Sequence, residues 1–269
     1  MDYQPIGLQH PRVKQLRAIL RNSAPNHRRL FVAEGLWAHN VLLDLEAPIE
    51  AFLWCPEAVY ADEAHVRSAQ VAARAEHRYR ISPKVLERIT ERDRPDGMIS
   101  LVRLPSWDSD TLPLDKQAIA LVADAVEIPG NLGTLLRTAD ACGASCVLLT
   151  NRRTRLSHPK VFRGSRGMSL RVPILEFDET ADALAWLRER GFAVFLATTG
   201  EAAVSYRDVA YPIRTALVVG NERYGISPAW RAHGFTQVHV PMLGSADSLN
   251  VSVCASILLY EVRAQLAGW

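Results

Sequence analysis

The last thirty residues, 240-VPMLGSADSLNVSVCASILLYEVRAQLAGW-269, constrain the fold more than any other stretch of the chain. A short strand ends at Pro241, and a polar loop of Gly244, Ser245, Ala246, Asp247 and Ser248 follows. An apolar run with helical spacing then extends from Leu249 to Leu266. A loop rich in small and hydroxylic residues, set between a strand and a buried helix, is where an α/β protein holds a ligand. Two earlier stretches, 126-VEIPGNLGTLLRTADACGA-144 and 217-LVVGNERYGIS-227, share the form of strand end, Gly/Asn loop and helix start, as if built to meet it.

The surrounding pattern is α/β. Residues 118-AIALVAD-124 form a near-continuous apolar run, as expected for a parallel strand covered on both faces. Strands are expected at 145–150, 192–198, 215–220 and 236–240, with helices at 131–142, 179–191 and 227–233 between them, which makes a five-stranded doubly wound parallel sheet. Earlier, an amphipathic helix over 11–22 carries Val13, Leu16, Ile19 and Leu20 inward and Arg12, Lys14, Arg17 and Arg21 outward. Strands near 26–35, 50–55, 78–82 and 98–104 alternate with helices over 36–45, 62–75 and 83–90, the last opened by Pro83 after the cap candidate Ser82. That first series predicts a small α/β domain over residues 1–108. The aperiodic, Pro-, Ser- and Asp-rich stretch 105-PSWDSDTLPLDKQ-117 supplies the boundary, with a linker at 109–117 and a second domain over 118–269.

Of the 269 residues 48% are apolar, enough for a proper core, and the formal net charge is only +2. The charge is unevenly placed. Met1 to Phe31 holds six Lys/Arg against one acid, and Arg152 to Arg171 holds seven with none, which suggests a polyanion-binding face. Cys55, Cys142, Cys146 and Cys254 form no Cys-x-x-Cys pair and have no histidine at a zinc spacing, so a reduced, metal-free interior is expected. The first residues lack a basic-then-apolar signal pattern, and no apolar run approaches the ~20 residues of a membrane span, so a cytoplasmic location is expected.

Asn131-Leu132-Gly133 sits at a helix start, where free N–H groups favour an anion, and Arg137 follows within two turns and can reach back to the same loop. The bland alternative is a helix-capping Asn131 and a solvated Arg137. A dinucleotide fold would want Gly-x-Gly-x-x-Gly here, whereas IPGNLGTLLR has Gly130 and Gly133, which weakens a nicotinamide-dependent oxidoreductase. Gly220-Asn221-Glu222 and Gly225 permit close backbone approach or a plain tight turn; Glu222 orients Asn131 or Arg137, or faces water. Ser248 before Leu249 and Asn250 reads equally well as a helix cap.

Taken in order, Asn131-x-Gly133-x-x-x-Arg137, Gly220-Asn221-Glu222-x-x-Gly225, Pro241-Met242 and Ser248-Leu249-Asn250-Val251-Ser252 resemble the three motifs of the SpoU (TrmH-type) RNA ribose 2′-O-methyltransferases of the SPOUT superfamily. The resemblance covers residues 118–269 strongly. The N-terminal hundred residues are more loosely similar to the small RNA-binding domain, of ribosomal-protein type, that precedes many such enzymes. It implies a parallel-sheet domain with a C-terminal trefoil knot, a homodimer, and S-adenosylmethionine held by Thr198, Gly220, Val240, Met242, Leu249 and Asn250. It also implies that Arg137 activates the ribose hydroxyl. A guanidinium is effectively always protonated, so the better expectation is that Arg137 binds the adjacent phosphate and stabilises the developing alkoxide, while Asn131, Glu222, Ser248 and Asn250 fix geometry.

For RNA contact the sequence offers Arg28 and Arg29 in the N-terminal basic turn, and Arg163 and Arg166 in 151-NRRTRLSHPKVFRGSRGMSL-170, where Gly164 and Gly167 would let the chain approach phosphates. Trp37, Trp54 and Phe31 read as core before they read as base-stacking platforms. By analogy the favoured substrate is 23S ribosomal RNA. The alternatives are transfer RNA as substrate, or a catalytically silent RNA-binding protein of the same fold.

Overall fold

The structure is a computed structural model describing residues 2–268. It contains two compact units. One comprises the chain to Pro105 together with Leu156–Leu170, and the other comprises Ser106–Arg155 and the chain from Arg171 onward.

The first unit runs β1 (Gln4–Pro5), α1 (Pro11–Arg21), β2 (Leu30–Glu34), α2 (Leu36–Asp44), β3 (Ile49–Trp54), α3 (Asp62–Arg74), β4 (His77–Arg80), α4 (Pro83–Leu86) and β5 (Met98–Arg103). The strands form one sheet in the order β1-β4-β3-β5-β2. Pro11 opens α1 behind His10, whose ring nitrogen accepts the Arg12 N–H, and Val13, Leu16 and Ile19 turn inward at helical spacing. They pack with Leu30, Val32, Ala51, Leu53, Ile99 and Leu101 of the sheet. Alternation sends Phe31, Phe52 and Trp54 to the other face, against Phe162, His39 and His65 respectively. Phe31 and Trp54 are thus buried core side chains, and Trp37 packs its ring on Phe162. Ser82 precedes Pro83 as expected but makes no side-chain cap bond, and α4 stops at Leu86.

The second unit continues with β6 (Ala118–Asp124), α5 (Pro129–Ala141), β7 (Cys146–Thr150), α6 (Pro159–Gly164), β8 (Ile174–Glu176), α7 (Thr180–Glu189), β9 (Ala193–Ala197), β10 (Val204–Ser205), β11 (Arg214–Val219), α8 (Pro228–Arg231), β12 (Thr236–His239) and α9 (Val251–Ala267). Its sheet has seven strands, all parallel, in the order β10-β12-β9-β11-β6-β7-β8. The expected five are present; β8 and β10, at three and two residues, are too short to show a period in sequence. β6 is buried at every position, as its unbroken apolar run requires. From β6 the chain builds outward through β7 to β8, then crosses to β9, and β11 later fills the gap beside β6. The direction of winding therefore reverses at β6 and β11, and in an open α/β sheet the crevice beyond the carboxyl ends at such a reversal is the ligand site.

Two expectations need revision. Residues 109–117 are not a bare linker: Ser109 accepts hydrogen bonds from Trp186 and Arg190 at 2.9 and 2.7 Å, and Leu112 and Leu114 pack on the second unit's core. The basic stretch 151–170 falls within 118–269 by sequence, yet residues 156–170 group with the first unit and include α6. The cause is apolar: Phe162 is buried against Phe31 and Trp37.

Candidate active site

The loops after β6, β11 and β12 meet at the carboxyl edge of the second unit's sheet. Asn131 does not cap α5, whose N-cap position is Ile128; it lies buried in the first turn. Its amide donates to Glu222 Oε1 at 2.7 Å, and its Oδ1 accepts from the Asn250 amide at 3.1 Å. Glu222 also accepts the backbone N–H groups of Glu127 and Ile128, the residue before the N-cap of α5 and the N-cap itself, at 3.1 and 3.2 Å. Burial raises the Glu222 pKa, but the bonds from Asn131 and from these N–H groups outweigh it and hold the carboxyl below its ordinary value. An ionised carboxylate engaged by three donors is a poor proton acceptor and a good strut. Asn250 is the N-cap of α9: its Oδ1 accepts from Ser252 N–H at 3.0 Å and Ser252 Oγ at 2.6 Å. Ser248 lies outside the cap.

The loop after β11 is held just as closely. Asn221 and Gly225 exchange backbone bonds, and the Asn221 side chain donates to Ala125 O at 2.9 Å while accepting from the N–H groups of Arg223 and Tyr224. Gly225 has φ +68°, and a Cβ on Gly220 would lie 2.2 Å from Gly225 C and Ile226 N, so no larger residue fits position 220 without moving backbone. Below it, buried Asp124 accepts from Thr150, Asn151 and the Ser227 N–H, tying the ends of β6 and β7 to the start of α8. Sequence inspection missed Asp124 because an acid ending a strand has no local signature.

Beside this frame lies a cavity of about 370 Å³, within the roughly 300–1,000 Å³ of small-molecule sites. Thr198, Gly220, Val240, Met242 and Leu249 line it, together with Glu222, Ser248 and Cys254. Asn250 is not among its walls; it acts from behind, through Asn131. Burial pushes the Cys254 thiol up to about 11, which keeps it protonated. Arg137 is exposed on α5 and enters none of the hydrogen bonds or ion pairs among the described residues, so it does not reach back to the loop. Among the described residues no group of His, Cys, Asp or Glu has the geometry of a metal site, and no helix is long and apolar enough to cross a membrane.

The residues expected at RNA lie in the first unit and have protein partners. Arg28 pairs with Glu50 at 2.8 Å, Arg163 with Glu91 at 3.4 Å, and Arg166 sits 4.5 Å over the Trp37 ring; Arg29 adopts φ +52°. Gly167 is needed for a different reason than phosphate approach. Its φ is +88°, and a Cβ there would meet Val41 Cγ1 of α2 at 2.3 Å.

Residues 118–260 match the model of the SpoU rRNA methylase family, and residues 10–100 match an MRM3-like substrate binding domain. The chain belongs to the SpoU rRNA methylase family. It is an S-adenosylmethionine-dependent RNA ribose 2′-O-methyltransferase. Among its relatives, a 23S rRNA (uridine(2479)-2′-O)-methyltransferase of Streptomyces viridochromogenes is 27% identical over 98% of this chain and 93% of that protein. A 23S rRNA (guanosine(2553)-2′-O)-methyltransferase of Bacillus subtilis is 31% identical over 69% of this chain and 72% of its own. The solved structure of an AdoMet-bound rRNA methyltransferase from Sinorhizobium meliloti superposes with a TM-score of 0.84 at 28% identity, covering 98% of each chain.

Proposed function

We propose that this enzyme methylates a ribose 2′-hydroxyl of 23S ribosomal RNA. The cofactor would occupy the cavity lined by Thr198, Gly220, Val240, Met242 and Leu249, and the first unit would hold the RNA. The observation that carries this is the convergence of the loops after β9, β11 and β12 on one cavity, with the loop after β6 tied to its wall by the ladder from Asn250 through Asn131 to Glu222. The two 23S rRNA methyltransferases among its relatives support the choice of RNA.

S-adenosylmethionine supplies an electrophilic methyl group on a sulfonium. Methyl transfer to a hydroxyl is an in-line displacement for which alignment is worth roughly 7–11 kcal/mol, so a rigid frame matters more than a strong base. Gly220 brings backbone close to the cavity, and Asn131, Glu222 and Asn250 fix the loops relative to α5 and α9, with Ser248 on the cavity wall. Arg137, exposed and without a hydrogen-bond or ion-pair partner among the described residues, would serve as a cation for a substrate phosphate and for charge developing on the ribose oxygen. Arg28, Arg29, Arg163 and Arg166 add positive surface on the first unit. The enzyme acts in the cytoplasm as a homodimer; the exposed apolar side chains of Val253 and Tyr260 on α9, and of Leu243 in the loop before it, support pairing through this end of the chain.

The test is calorimetric titration with S-adenosylmethionine, followed on the same sample by tritiated-methyl transfer to total ribosomal RNA and total transfer RNA. Binding with transfer to ribosomal RNA is expected. Transfer to transfer RNA alone would overturn the substrate, and absence of cofactor binding would leave a silent RNA-binding protein.

A further inference from the structure

Glu50 stands near the start of β3 and is 1% exposed. Pairing sets Ile49 against Val102 and Ala51 against Leu101 on β5, so Glu50 is the extra residue of a bulge, and its side chain leaves the alternation of the strand. Three guanidiniums converge on it. Arg12 of α1 and Arg28 of the turn before β2 lie 2.6 and 2.8 Å from Oε1, and Arg103 at the end of β5 lies 3.2 Å from Oε2.

A buried carboxylate needs a partner, but not three. Glu76, half exposed, lies 3.6 Å from Arg103; with both acids counted, the cluster still carries surplus positive charge. Exposure is graded across it: the side chains of Arg12, Arg103 and Arg28 are 18%, 41% and 53% exposed. Arg12 is therefore the most enclosed of the three, while Arg28 and Arg103 keep part of each side chain in contact with water. Guanidiniums fixed by a buried anion have surrendered rotamer freedom before any ligand arrives, and a second anion relieves their mutual repulsion.

We infer that Arg12, Arg28 and Arg103 form a preorganised site for a phosphodiester of the substrate RNA, with Glu50 as the buried anion that sets their spacing, an inference that rests on the RNA methyltransferase reading. Two observations favour RNA over another polyanion: this unit matches a substrate-binding domain, and the surrounding N-terminal segment is rich in Lys and Arg. Phosphate contacts of this kind position a nucleic acid without reading its sequence.

The experiment measures binding of full-length protein to labelled 23S rRNA transcript at salt concentrations between roughly 50 and 200 mM KCl. Arg28→Gln and Arg103→Gln are compared with Arg74→Gln, a control removing an exposed cation that pairs with Glu46 elsewhere on the same unit. Each cluster variant should flatten the plot of log affinity against log salt by about one unit, the control should not, and S-adenosylmethionine binding should stay at the wild-type level in all three. Wild-type slopes in both cluster variants, or an equal change in Arg74→Gln, would overturn the site while leaving the enzymatic reading intact. A wild-type protein that binds cofactor but no RNA transcript would overturn both.

Discussion

Arg137 and Glu222 differ in what each is bonded to within the protein. Glu222 is committed to the scaffold, since its oxygens hold Asn131 and two backbone N–H groups and its pKa is depressed. Arg137 has no hydrogen-bond or ion-pair partner among the described residues. A guanidinium does not titrate in the working pH range, so if it stabilises charge, its replacement lowers the rate without moving an ionisation. Arg137→Ala is expected to reduce single-turnover methyl transfer by about 10²-fold or more, typical of removing one electrostatic contact to a developing oxyanion, with cofactor affinity unchanged. Arg137→Lys should retain the wild-type pH–rate profile at lower rate. A lysine variant that is active with a shifted ionisation would point instead to a titrating base at this position.

At the scale of elements, the shape of the cavity proposed for the cofactor depends on how closely the turn after β11 folds back on itself. Position 220 is occupied by glycine because the backbone at Gly225 and Ile226 occupies the space a Cβ would fill, not because of its own φ. Gly220→Ala would push that turn away from the Asn221 to Gly225 bridge and into the cavity. Calorimetry with S-adenosylmethionine should show at least a tenfold weaker affinity, about 1.4 kcal/mol, while thermal unfolding still shows a folded protein. Wild-type affinity in this variant would mean that the turn can yield and does not shape the site. α5 and α9 form the other wall of the frame. Thr138 meets Ser256 at 3.0 Å, and Arg263 donates to Cys142 O and Gly143 O at 2.8 and 2.6 Å, so the C-terminal end of α5 is capped by the same helix whose N-cap residue holds Asn131.

On the scale of the whole molecule, the two units differ in what they bury, and acid should find the first before the second. His39 in α2 is fully buried, its ring bonded to Gly35 O and Ser100 Oγ, and burial lowers its pKa from 6.5 to about 4. Between those two values the unfolded chain binds the proton and the folded chain does not. Stability from this group is therefore complete above the unfolded value and is lost as pH falls toward the folded one. The loss between pH 7 and 5 should be about 2 kcal/mol by linkage. Urea unfolding of the full chain at those pH values, compared with His39→Gln, should show that much of the slope disappear in the variant. An unchanged slope would assign the acid sensitivity elsewhere.

By itself the sequence determined what is local. Apolar periodicity set the main strands and helices, Pro83 marked a helix start, and the unbroken run of β6 announced a strand covered on both faces, because each depends on neighbours within a few residues. The small and amide residues at the three loops stood out in the sequence for the same reason. Only the tertiary structure decided which of these residues meet. Asn131 bonds to Glu222 across 91 positions and to Asn250 across 119, and no local signal says that Glu222 braces Asn131 rather than Arg137, or that Asn250 works from behind the cavity wall. Sheet order fixes those distances. In the first unit, one bulged residue gathers arginines 38 and 53 positions away around a buried carboxylate. Phe162 likewise carries a basic segment into a unit from which the chain order separates it, because a buried ring gains more from an apolar neighbour than from proximity in sequence.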